Sequence, residues 1–225
     1  MNKRFEGFSK NLFRKPFIKR LLLMLIGVEL MGIGVSILNL THFGVDPFAS
    51  ASYGISAMTG ISFGTTELIF NGLLLLIVVF FDIKKLGFGT IGNMVLVGYT
   101  ADFTTFLMHK AGIMSIDSFL MRVVVMICTL SVFIVAVALY INAGLGASAY
   151  DVLPYIIHEK ICRLLGKEIS FKYIRMTFDA FFTLLGFVLK GAAGVITVLM
   201  VIALGPTIEY VAQVVSKVLK LDESD

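Results

Sequence analysis

Long apolar runs alternate with short polar breaks along all 225 residues of the chain. Six runs approach the roughly 20 residues that a helix needs to cross about 30 Å of hydrocarbon. They are Leu21 to Leu40, Thr66 to Phe81, Phe88 to Leu107, Phe119 to Ile141, Tyr173 to Leu189 and Ala192 to Val214. The runs are continuous rather than alternating, which predicts helices and not a barrel, and a helix satisfies its own backbone polar groups in lipid. Between the first and second runs, Gly44 to Gly60 has no Lys or Arg and is too short to span as a helix. It predicts a re-entrant or interfacial half-helix, opened by Asp46 as N-cap and Pro47 at the first helical position.

The same order of signals occurs twice. Gly44 to Ser50 reads G-V-D-P-F-A-S and Gly146 to Val152 reads G-A-S-A-Y-D-V. Ile61-Ser62-Phe63 returns as Ile169-Ser170-Phe171, with each serine a candidate helix cap. Asn71 and Asp179 each stand nine residues after those serines, and Thr90 to Gly98 repeats as Thr197 to Gly205. One unit used twice, with three crossings in each copy, must reverse its direction in the membrane. The predicted fold is therefore an all-α polytopic membrane protein of six transmembrane helices, arranged as two inverted three-helix repeats, each with a short re-entrant or interfacial half-helix. If both half-helices crossed, the arrangement would instead be eight spans in parallel repeats. The expected organisation is a basic cytoplasmic segment 1–19, a first membrane repeat 20–110, a second 111–215 and a cytoplasmic tail 216–225.

Composition supports the bilayer: 58% of residues are hydrophobic and only 15% charged, with a mean hydropathy of +0.94. The net charge of +4 is a topology signal rather than a mark of nucleic-acid binding. In the six-span arrangement only Lys110, Arg122 and Lys190 of the 19 Lys and Arg residues fall outside, which places both termini in the cytoplasm. Phe5, Phe8 and Leu12 lie at helical spacing among basic residues, so segment 1–19 is either a helix on anionic headgroups or a solvated basic tail. Cys128 and Cys162 are too few for a disulfide framework. With His42, His109 and His158 scattered, no metal site, cofactor motif or catalytic constellation is expected, and neither is an enzyme.

The candidate chemistry lies on polar helix faces. Glu29, Gly32, Ser36 and Asn39 share one face of the first run, where a charged carboxylate near the bilayer centre costs roughly 3 kcal/mol. Gly32 and Ser36 would also admit a close helix neighbour. Glu67 and Asn71 share a face, Asp102 lies near the outer end of the third run, and Pro206 precedes Glu209 in the sixth. Arg175 and Asp179 are spaced for an ion pair at i, i+4.

These paired motifs, the Ile-Ser-Phe caps, the Gly-Phe-Gly-Thr turn at Gly87 and the Gly-x-x-x-Asp/Glu endings resemble the YczE/YyaS/YitT family of bacterial integral membrane proteins over about residues 20 to 213. The chain departs from that pattern at Ala49 and Ala149. The resemblance implies a multi-pass plasma-membrane protein without a defined substrate. Two functions are expected from the residues themselves. One is a small secondary transporter of an unidentified solute, with Glu29, Asp46, Asn71, Asp102, Asp151, Arg175, Asp179 and Glu209 as candidate substrate- or ion-binding residues. The other is a non-transporting accessory, substrate-binding or regulatory subunit. For the carrier, Arg175 and Asp179 form the central pair, with Asn71 their counterpart in the other half. The expected partners are the lipid bilayer and a small molecule or ion; homo-oligomerisation or a membrane partner protein stays open.

Overall fold

The computed structural model describes residues 17–219, where all regular secondary structure is helical. The N-terminal stretch with Phe5, Phe8 and Leu12 and the acidic end from Asp222 to Asp225 lie outside the described residues. In chain order the helices are α1 (Phe17–Thr41), α2 (Pro47–Thr59), α3 (Phe63–Asp82), α4 (Phe88–Lys110), α5 (Phe119–Ala143), α6 (Ala149–Leu165), α7 (Phe171–Val188) and α8 (Val195–Val218), with one 3-10 turn at Ile83–Lys85.

Six spans in two inverted triplets are not what forms. Only α1, α3, α5 and α8 are long and apolar enough to cross a membrane among the described residues. The third and fifth predicted spans, α4 and α7, are not in that set. α4 interleaves Thr90, Asn93, Thr100, Asp102, Thr104 and Thr105 with its apolar residues, and α7 carries Lys172, Arg175 and Asp179 within 18 residues. The two short segments are complete helices of 13 and 17 residues, about 20 and 26 Å at 1.5 Å per residue. Each copy of the sequence repeat therefore contains four helices. Both short helices enter the bundle by their N-terminal parts, since Pro47 to Ser52 and Val152 to Pro154 are buried, while their C-terminal ends at Met58 and Leu164 are exposed.

Local signals start these helices. Asp46 accepts the Ala49 backbone N–H at 3.0 Å ahead of Pro47, and Ser62 accepts the Thr65 N–H at 3.3 Å. Ser170 occupies the N-cap position of α7 without a side-chain cap bond.

Packing follows the small, polar face of α1. A Cβ on Gly32 would stand 2.7 Å from Thr100 Cβ, so only a glycine there lets α1 meet α4 this closely. Thr100 Oγ1 donates to Glu29 Oε2 at 2.7 Å, and Ser36 shares a 2.8 Å hydroxyl bond with Thr105 in the same seam. On another side, α1 packs along α5, where Gly27 lies against the backbone of Ala136 and Tyr140.

The two copies of the repeat are interlocked. α2 of the first docks on α7 of the second, and α6 of the second docks on α3 of the first. The loops are exchanged in the same way. The one leaving α1 bonds the start of α8, with Ile196 N–H donating to Phe43 O at 2.9 Å and Val45 N–H to Ala192 O at 3.1 Å. The one leaving α5 bonds the start of α4, with Gly89 N–H donating to Leu145 O at 2.7 Å and Thr90 Oγ1 to Ala147 O at 2.7 Å. Around the α2, α3, α6 and α7 junction, Phe48, Phe70, Tyr150, Phe178 and Phe182 form one aromatic cluster with neighbouring ring centroids 4.9 to 5.7 Å apart. Large apolar side chains face outward elsewhere, among them Phe80 at 90% and Leu120 at 72% exposure. That surface suits lipid contact.

Candidate functional site

The second motif builds a closed polar network. Ser148 caps α6 by accepting the Asp151 N–H at 3.1 Å, and its own hydroxyl donates to Asp151 Oδ2 at 2.7 Å. The other oxygen of that carboxylate accepts Arg175 Nη1 at 2.8 Å. Arg175 Nε donates to Asp179 Oδ2 at 2.9 Å, one turn along α7. Tyr150, next to Asp151 in sequence, donates its hydroxyl to Asp179 Oδ1 at 2.5 Å and places its ring 5.1 Å from the guanidinium carbon. One guanidinium thus spans two carboxylates from two helices through separate nitrogens of its rigid planar fork. The aromatic cluster adjoins this network through the Tyr150 ring. Asp179 is the most deeply buried of the three charged groups, at 7% side-chain exposure against 23% for Arg175 and 36% for Asp151.

The first motif carries different chemistry at equivalent places. Counting from the aligned caps, Phe48 stands where Tyr150 does and Ala49 where Asp151 does. Glu67 stands at the place of Arg175, and Asn71 at that of Asp179. Glu67 and Asn71 are both buried on the inward stripe of α3. Asp102 of α4 reaches back to accept the Gly64 N–H at 2.9 Å, where the backbones of Gly64 and Gly98 come together. Asp46 lies within electrostatic range of both Asp179 and Glu67.

Of the predicted residues, Asp151, Arg175 and Asp179 meet directly, and Asp46, Asn71 and Asp102 gather on the α2, α3 and α4 side. Glu29 sits apart in the α1–α4 seam, satisfied by Thr100. Glu209 is exposed on α8. Tyr150 and Glu67 are the additions. Both were within reach of the sequence: Tyr150 adjoins Asp151 in the second motif, and aligning the two caps sets Glu67 against Arg175.

Residues 18–213 match a single family over nearly the whole of this helical bundle. The chain belongs to DUF6198, a family of unknown function. It is also 23% identical over 200 residues to an uncharacterized protein of Haemophilus influenzae, covering 88% of this chain and 86% of that protein. No solved structure matches. The family is therefore DUF6198, and the finer resemblance to YczE/YyaS/YitT proteins is not what these matches identify. What they share with it is an uncharacterized, multi-pass helical membrane protein. Within this DUF6198 chain, no three His, Cys, Asp or Glu side chains gather as a metal site among the described residues.

Proposed function

We propose that this protein is a small secondary carrier whose binding centre lies where α2 and α6 dock on α7 and α3. The observation that supports it most is the network of Tyr150, Asp151, Arg175 and Asp179, which holds three ionisable groups inside a bundle made largely of apolar helices. Charged side chains in membrane segments cost roughly 3 kcal/mol each on insertion scales, and where they occur they commonly line substrate or ion paths. A structural network would need only complementary pairs. This one instead brings an excess of carboxylates to one guanidinium, between the start of α6 and the facing side of α7 in the second copy of the repeat.

Orientation enters as part of the same reading: both termini lie in the cytoplasm of a bacterial cell, by the bias of basic residues. In a chain with Cys128 and Cys162 replaced by serine, a cysteine at Thr59, after α1, should react with an impermeant thiol reagent from outside the cell, and one at Ile83, after α3, should not.

The carrier reading is tested on purified protein in liposomes. A thermal-shift screen of metabolites and ions across pH selects a ligand, and counterflow of that ligand is compared between wild type and Asp179→Asn. Loss of flux with folded yield retained supports the carrier. Equal loss of flux and yield assigns the network to structure. Ligand binding with no flux by the protein alone favours an accessory or substrate-binding subunit.

A further inference from the structure

Carboxylate oxygens of the polar centre find donors on the protein. Asp46 accepts Ala49 N–H, Asp102 accepts Gly64 N–H, and Asp151 and Asp179 share Arg175. Glu67 Oε2 is different. The residue is 5% exposed, and among the described residues no donor lies within hydrogen-bond reach of that oxygen. The neighbouring Thr66 hydroxyl, on a residue 3% exposed, is orphaned too. Buried polar atoms without partners are uncommon and call for a specific reason.

The surroundings of Glu67 say what is missing. Its Oε2 points across to α4, where a Cβ on Gly98 would stand 3.1 Å away and only glycine lets the two helices come this close. The charged groups acting on it are Asp46 at the start of α2 and Asp102 on α4, both carboxylates. In the second copy of the repeat the equivalent place holds Arg175, whose charge is matched by Asp151 and Asp179. Around Glu67 the protein supplies negative charge and oxygen atoms, and the complement is a positive charge.

We propose that Glu67 anchors a binding site for a monovalent cation between α2, α3 and α4. Divalent ions of the calcium and magnesium kind want six or more oxygens, commonly from several carboxylates. No three acidic, His or Cys side chains gather in that way among the described residues. One carboxylate with a free oxygen matches a single positive charge, and an alkali ion and a primary ammonium both provide it. The proposal deepens the carrier reading by naming the charge of what its centre takes, and its test needs binding alone.

The experiment measures thermal unfolding of the full-length protein in detergent at constant ionic strength. Sodium, potassium or methylammonium chloride replaces N-methyl-D-glucamine chloride stepwise. Wild type and Glu159→Gln, a change at an exposed surface pair, should show a saturable rise in unfolding temperature with at least one of the three cations. Which of them acts distinguishes an alkali ion from an ammonium group. Glu67→Gln should lose that rise, and in N-methyl-D-glucamine alone it should unfold at or above the wild-type temperature, because it removes an uncompensated buried charge. Should Glu67→Gln fail to fold, Glu67→Asp is read instead, with an expected tenfold or greater increase in half-saturating concentration. An equal response in wild type and Glu67→Gln, an unchanged midpoint in Glu67→Asp, or no saturable response to any of the cations overturns the proposal and leaves a proton as the sole occupant of Glu67. Cation binding lost in Glu67→Gln in a protein that moves no solute would keep this site and overturn the carrier reading alone.

Discussion

The Tyr150 hydroxyl donates to Asp179 Oδ1 across the α6–α7 interface, while the other oxygen of that carboxylate belongs to Arg175. Both oxygens of a buried acid are therefore held by side chains from outside its own turn of helix. The second motif contributes more than a helix start, because its aromatic residue reaches into the fifth predicted span.

Removing only that hydroxyl isolates its role. Tyr150→Phe retains the ring among Phe48, Phe178 and Phe182 but leaves Asp179 Oδ1 without its donor. An orphaned buried acceptor costs about 1–3 kcal/mol. Thermal unfolding should show that loss, and the double change with Asp179→Asn should cost less than the sum of the two single changes. Additive losses would mean that the two groups do not interact.

The guanidinium is expected to resist conservative replacement. Arg175→Lys keeps the charge but cannot bridge Asp151 and Asp179 with parallel N–H groups as the fork does. Arg175→Met leaves two carboxylates facing each other and should lower folded yield severely, in line with the roughly 3–5 kcal/mol cost of breaking a buried pair. Adding Asp151→Asn to Arg175→Met should restore part of that yield, as read by size-exclusion chromatography in detergent. An absence of rescue would show that Arg175 acts through packing instead of charge.

Two glycines hold the exchanged loops. Gly44 and Gly146 have φ of 112° and 119°, which L side chains rarely adopt. A Cβ on Gly44 would lie 2.8 Å from Gly194 N, and one on Gly146 would lie 2.7 Å from Gly87 N. Alanine at either position should therefore destabilise by about 1–3 kcal/mol. Gly72→Ala, in open space within α3, should be neutral or stabilising by up to ~1 kcal/mol. Comparable unfolding temperatures for all three variants would contradict the interlocked packing.

Features confined to one or two turns of chain were legible in the residues. Asp46 before Pro47, and Ser62 before its apolar run, do cap helices, because a cap needs only a side-chain oxygen and backbone N–H groups three residues on. Arg175 and Asp179 pair because four residues of helix place them on one face. The face of Glu29, Gly32 and Ser36 was recognisable as inward, since lipid offers it no partner.

By itself, then, the sequence determined an all-helical membrane bundle, the twice-used order of its motifs, and which face of each helix is polar. Tertiary structure alone decided that the first turns of the two short helices are buried and that each of these helices docks on the other copy. It also decided that Arg175 is shared with Asp151, that Tyr150 completes Asp179, and that Glu67 Oε2 is left without a donor. Periodicity says which side of a helix turns inward. What that side meets depends on contacts between residues far apart in sequence, such as Tyr150 with Asp179 and Gly89 with Leu145, which form only when the two copies interlock.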